Sequence, residues 1–214
     1  MKPVLRLSLK ALTLALACAG PAQAFTLGLD GWLPMGDVAL QGPDLLLSTA
    51  YVDGIADEAG NLSGRSALPA FDLETAASLA PRALDLSDDD YATEGSIALR
   101  SLTVQAGDTL RLHWSFSSQD ASFADHAFVV VGSDVYRLAT ALNPPAGQRS
   151  FVHTFAQGGS VLLGVGVVDT VDATGVSTLR ISGFEVTAVP EPASAALCLA
   201  GLGLLAGLAR RRRA

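Results

Sequence analysis

Between Phe25 and Ala188 there is no cysteine and no lysine. The two cysteines of the 214-residue chain, Cys18 and Cys198, lie in the apolar stretches at its ends. A disulfide framework, a thiolate zinc site and a cysteine nucleophile are therefore excluded from the middle of the chain. An exported domain of this size holds together without disulfides when its core is large enough. Without lysine, the middle has seven arginines against 20 acidic residues, a net charge of −13. Nucleic-acid binding needs phosphates neutralised by Lys and Arg, so that partner is excluded. Anionic lipid head groups repel the segment for the same reason. Half of the chain is nonetheless apolar and its mean hydropathy is +0.38, too high for a disordered polymer.

Catalytic signatures are missing as well. No Gly-x-Ser-x-Gly turn presents a serine nucleophile. The three histidines, His113, His126 and His153, show neither His-x-His nor His-Glu-x-x-His spacing, and each falls in a predicted strand. A glycosidase pairs two carboxyl groups about 5–10 Å apart in a cleft, a condition that 20 acids meet too readily for sequence to count in its favour.

What is present is sharpest at the two ends. Lys2, Arg6 and Lys10, then the apolar run Ala11–Ala19, then Gly20-Pro21, lead to Ala22-Gln23-Ala24 before Phe25. This is the order of a secretory signal cleaved between Ala24 and Phe25. A buried N-terminal helix and lipidation at Cys18 are the alternatives. At the other end, Pro190-Glu191-Pro192 precedes an apolar stretch, 193–209, at the lower limit of the length that spans a bilayer. Arg210, Arg211, Arg212 and Arg213 follow it as a cytoplasmic stop.

The C-terminal arrangement resembles the PEP-CTERM sorting signal of Gram-negative bacteria: a Pro-Glu-Pro motif, a short transmembrane helix and an arginine cluster. The alternative is a plain tail anchor with a Pro-Glu-Pro linker. The resemblance implies recognition of the motif by an exosortase-type membrane transpeptidase that removes or replaces the tail. It also implies association with exopolysaccharide and biofilm matrix. The protein is then expected to be exported, held in the inner membrane before processing, and delivered to the cell surface or extracellular matrix.

From Phe25 to Ala188 the apolar periodicity is two. In Thr109–Ser117, Leu110, Leu112, Trp114 and Phe116 share one face, the pattern of a half-buried antiparallel strand. Ser101–Gln105 precedes it across Gly107-Asp108, read as a tight hairpin turn. Further strands are predicted at Asp37–Leu40, Leu45–Tyr51, His126–Val131, Asp134–Leu138, Phe151–Phe155, Ser160–Val168 and Thr178–Val186, with a bulge or bend at Ser182-Gly183. One helical stretch, Leu73–Ala80, is stopped by Pro81. Seven to nine strands with glycine turns predict an all-β fold, an antiparallel β-sandwich of the jelly-roll kind, flanked by a signal helix and a transmembrane helix. The domains are thus 1–24, 25–188 and 189–214. Phe25, Gly31-Trp32 and Gly36-Asp37-Val38, with Ala106–Phe116 and Gly166–Val186, resemble galactose-binding-like jelly rolls, many of which bind sugars.

Two acidic loops are candidate calcium sites, because Ca²⁺ takes several oxygen ligands from flexible loops. One holds Asp85, Asp88, Asp89 and Asp90; the other holds Asp169 and Asp172. Neither matches an EF-hand, and a solvated acidic loop is the alternative for both. Asp120 and Asp125 carry less weight. Trp32, beside Gly31 in a loop, is the candidate exposed ring for stacking a sugar, whereas Trp114 shares its face with Leu112 and Phe116 and belongs to the core. The reading is a non-enzymatic matrix component, with a lectin-like module or a secreted hydrolase as alternatives.

Overall fold

Alternation in the sequence becomes burial in space. In strand Thr109–Ser118, Leu110 and Leu112 are fully buried and Trp114 and Phe116 nearly so, while Arg111 and Ser117 are exposed. The computed structural model describes residues 24–26, 31–52, 59–189, 199–203, 205, 210 and 211. Among them are twelve strands: β1 (Ala24–Thr26), β2 (Leu33–Met35), β3 (Asp37–Gln41), β4 (Asp44–Ser48), β5 (Leu68–Pro69), β6 (Ala92–Val104), β7 (Thr109–Ser118), β8 (His126–Val131), β9 (Asp134–Thr140), β10 (Arg149–Thr154), β11 (Gly159–Thr170) and β12 (Ser177–Thr187). They form two antiparallel sheets, a β-sandwich as the sequence predicts. The first has the order β10-β7-β12-β4-β3 with β1 on β12; the second has β2-β6-β11-β8-β9 with β5 on β6.

Leu45, Leu47, Leu110, Leu112, Trp114, Val129, Val165, Leu179 and Phe184 fill the space between the sheets. A second cluster lies on the far face of the second sheet, where Ile97, Leu99, Phe128 and Val130 meet Leu73, Ala77 and Leu84. This cover explains why β8 and β11 are apolar on both faces. It is supplied by helix α1 (Ala70–Ala76) and the loop after it. The helix begins and ends earlier than Leu73–Ala80. Pro69 stands at its N-cap, where a missing N–H costs nothing, and Ser78 turns left-handed at φ 55°.

The Gly107-Asp108 turn is real but is not a hairpin. β6 and β7 belong to different sheets, so the turn carries the chain from one layer to the other. Asp108 fixes the crossing: its carboxylate accepts the Gln105 N–H at 2.8 Å and its carbonyl accepts the Phe155 N–H at 2.9 Å. A turn sequence specifies a reversal; the layer in which the next strand pairs is decided by packing. In β12 the buried positions switch from Leu179 and Ile181 to Phe184 and Val186, an odd-to-even shift that requires an extra residue at Ser182-Gly183. A Cβ on Gly183 would lie 3.1 Å from the His113 ring.

The chain divides into two units, 25–186 and 1–24 with 187–214. In the second, residues 199–203, 205, 210 and 211 are helical.

Candidate binding groove and sorting tail

Where the chain leaves β9 for β10, the Asn143–Gly147 loop and the rim of the first sheet enclose a groove of about 600 Å³ lined by His113, Trp114, Leu138, Pro145, Gln148, Arg149 and Ser150. Gly147, at φ 69°, allows the loop to turn back into β10. Gln148 is held by a hydrogen bond from its Nε2 to Ser182 Oγ. Register places Arg149 opposite Trp114 and Ser150 opposite His113. Among the described residues the lining is rich in donors, which suits the oxygens of a polar ligand.

The aromatic candidates lie elsewhere. Trp32 is not an exposed platform: half-buried, it packs edge-on against Phe184 with ring centroids 5.2 Å apart. Gly31 signalled a loop correctly, but the loop folds the ring onto the core. His153 is set among Tyr136, Phe151 and Phe155, whose centroids are 5.6, 6.5 and 5.0 Å away. His126 is buried, and its pKa is lowered to about 4 by that burial and then by the Arg137 charge.

The acidic loops find partners within the chain. Asp85 and Asp88 both face the Arg82 guanidinium, Asp88 at 3.0 Å, and Asp85 also accepts the Ala92 N–H at 3.0 Å. Asp90 accepts a hydrogen bond from Ser87, and Asp89 is exposed. Asp169 and Asp172 do not converge. Asp169 turns into the interior, 2% exposed, whereas Asp172 accepts hydrogen bonds from Thr174. Among the described residues, no group of three or more His, Cys, Asp or Glu side chains is placed to hold a metal ion. Asp169 faces Asp125, a residue of little weight in the sequence reading. Burial first, then the Asp125 charge, push the Asp169 carboxyl up to about 10. The one available signal was position: Asp125 immediately precedes β8, and Asp169 follows the apolar run 161–168 of β11.

At the C-terminus, Pro190, Glu191, Pro192, Arg212 and Arg213 lie outside the described residues, as do residues 1–23, which include Ala22 of the expected cleavage site. Ala24 and Phe25 open β1. Most of the expected span 193–209 also falls outside them; Arg210 and Arg211 are helical. No helix among the described residues is long and apolar enough to cross a membrane. The order of elements after β12 can still be compared with known proteins. Residues 188–213 match the PEP-CTERM protein-sorting motif. A PEP-CTERM motif implies export and processing at a membrane.

No curated protein matches the chain. Among solved structures, the sandwich is similar to the xylan-binding module CBM15, at 11% identity over 79% of this chain and 99% of that one, with a TM-score of 0.37. It is also similar to TmCBM61 in complex with β-1,4-galactotriose, at 9% identity over 80% and 90% of the two chains, TM-score 0.34. A family two carbohydrate esterase from Cellvibrio japonicus is similar at 10% identity over 79% of this chain and 36% of that one, TM-score 0.35.

Proposed function

We propose that this chain is a non-catalytic β-sandwich protein that its PEP-CTERM tail delivers to the envelope of a Gram-negative bacterium. There it serves as a structural or interaction component of the exopolysaccharide matrix. The observation that carries the reading is the match at 188–213, which begins directly after β12 ends at Thr187. A Pro-x-Pro sequence fixes φ at two positions and lacks two backbone donors, chemistry that favours threading into a processing enzyme. Glu191 supplies one charge for recognition. The apolar stretch pauses the chain in the inner membrane, Arg210–Arg213 hold its end inside, and an exosortase-type transpeptidase takes the chain on from there.

The test compares wild type with a Pro190→Ala, Glu191→Ala, Pro192→Ala variant in a host that has the matching transpeptidase. Wild type should lose residues 195–214 by mass and leave the inner membrane; the variant should stay uncut in that membrane. If both remain uncut and membrane-bound, the tail is an anchor and the sorting reading fails.

The second reading is a lectin-like module that binds a polysaccharide at the groove. It is supported by the lining of Arg149, Gln148, His113 and Ser150, donors without a competing acid. Retention of the protein in polysaccharide-containing gels, lost in Arg149→Ala and Gln148→Ala, would support it; equal mobility with and without polysaccharide would remove it. A hydrolase fits less well, because the Asp125–Asp169 pair lies in the interior rather than in a cleft.

A further inference from the structure

We propose that Asp125 and Asp169 form a proton clasp between the two sheets, in which Asp169 stays a neutral acid and donates its hydrogen to the Asp125 carboxylate. The hydrogen bonds assign the roles. Asp125 is fully buried and both of its oxygens already accept, Oδ1 from the Thr170 N–H at 3.0 Å and Oδ2 from the Ser177 hydroxyl at 2.8 Å. Those donors favour the ionised acceptor. The Asp169 carboxyl lies against Thr49 and Asp125, and its Oδ1 meets no hydrogen-bond partner. A buried carboxylate with an orphan oxygen beside a second carboxylate is costly twice over, through desolvation and through like charge. A neutral acid avoids both costs.

Neither carboxyl has an ion pair with arginine or histidine among the described residues. The charged groups that act on the pair are themselves acidic: Glu94 from β6 on Asp169, and Asp120 from the loop after β7 on Asp125. Asp172 is turned away onto Thr174. Burial raises the Asp125 pKa as well.

The position of the pair makes it a latch. Thr49 follows β4 and Ser177 opens β12, both in the first sheet, and the two are bonded reciprocally: Ser177 N–H to Thr49 Oγ1 at 3.0 Å and Thr49 N–H to the Ser177 carbonyl at 3.1 Å. Asp169 and Thr170 end β11 in the second sheet. The hydrogen that Asp169 donates to Asp125 therefore adds to the Thr170 and Ser177 hydrogen bonds that already tie the end of β11 to the start of β12 through Asp125. Above the ordinary aspartate pKa, unfolding releases this proton. The stabilisation is complete below that value and is lost as pH rises through the folded pKa near 10. His126 acts with opposite sign: its contribution is complete above about 6.5 and lost as pH falls towards 4. The window free of His126 is above pH 6.5. There the unfolding constant should rise about tenfold per pH unit, one proton's worth.

The test follows urea unfolding of the full chain in detergent from pH 6.5 to 9 for wild type and Asp169→Asn, whose amide can donate to Asp125 without titrating. Wild type should lose stability at about tenfold per unit, and Asp169→Asn should be flat over the same range. Infrared spectra of folded wild type at pH 8 should keep a carboxylic-acid C=O band that isotope exchange shifts. That reading survives even if the variant does not fold. A flat wild-type profile, an unchanged slope in Asp169→Asn, or no acid band at pH 8 would overturn the clasp. So would calcium at pH 8 abolishing the slope in wild type, since the pair would then hold a cation in place of the proton.

Discussion

Replacing Gly95 by alanine should cost more stability than any other single added methyl in the second sheet. Gly95 lies in β6 opposite Val168 of β11, beside the register shift between Val168 and Thr170. A Cβ there would sit 2.1 Å from the Val167 carbonyl oxygen and 2.8 Å from both Val168 Cα and Cγ1. The first two are backbone atoms of a paired central strand, so relief requires β11 to move off β6 and lose ladder hydrogen bonds. Gly166 offers a graded comparison: its Cβ would meet Phe128 Cζ at 2.3 Å, a buried ring that yields only by repacking. At Gly164 the nearest atom is the end of the Leu99 side chain at 3.0 Å, which can swing away. Overpacking a core costs about 1–3 kcal/mol and occasionally more. Gly95→Ala belongs at or above the top of that range, Gly166→Ala inside it, and Gly164→Ala at or below its foot. For a domain of this size each kcal/mol lowers the melting temperature by about 2–4 °C, so Gly95→Ala should melt roughly 6–12 °C below wild type. The assay is near-UV circular dichroism of the full chain on heating, which reports the packing of buried Trp114. A Gly95→Ala protein that melts within about 2 °C of wild type, or below which Gly164→Ala falls, would refute the steric argument.

Three further outcomes are expected. Leu112→Ala, at a fully buried position between the sheets, should cost about 2–5 kcal/mol in urea titration. His126→Gln should flatten acid destabilisation between pH 6.5 and about 4, because buried His126 stays neutral while the unfolded chain takes up the proton. Millimolar calcium should raise the melting temperature no more than magnesium does, since Arg82 already engages Asp85 and Asp88; a calcium-specific rise would restore the acidic loop as a site.

The strands that were legible in the sequence are those long enough to show a period. β7 reads as alternation, the β8–β9 hairpin is marked by Gly132-Ser133, and β11 is apolar on both faces from Val161 to Val168 because both faces are covered. β2 and β5, three and two residues long, have no period to read. Layer assignment was hidden for a different reason: the turns at Gly107 and Gly159 look alike whether the next strand pairs alongside or crosses to the opposite sheet. The carboxyl pair was hidden because its members are distant in sequence and meet only when β11 and the residue before β8 close on one end of the sandwich. The PEP-CTERM tail needed no fold to be read, since its motif, apolar stretch and arginines are contiguous. A groove assembled from β7, β10 and a loop leaves no such local trace.

The order of the first sheet has a consequence for export. β12, the last strand among the described residues, lies in its centre, between β7 and β4, with β1 also on it. β3 and β4 cannot reach β7 and β10 without it, so that layer cannot assemble from a nascent chain that lacks β12. Pairings between residues so far apart in sequence are also slow to form. The sandwich therefore stays unfinished until synthesis has reached Thr187, next to the sorting motif. This topology keeps the layer open by withholding its central strand until the end.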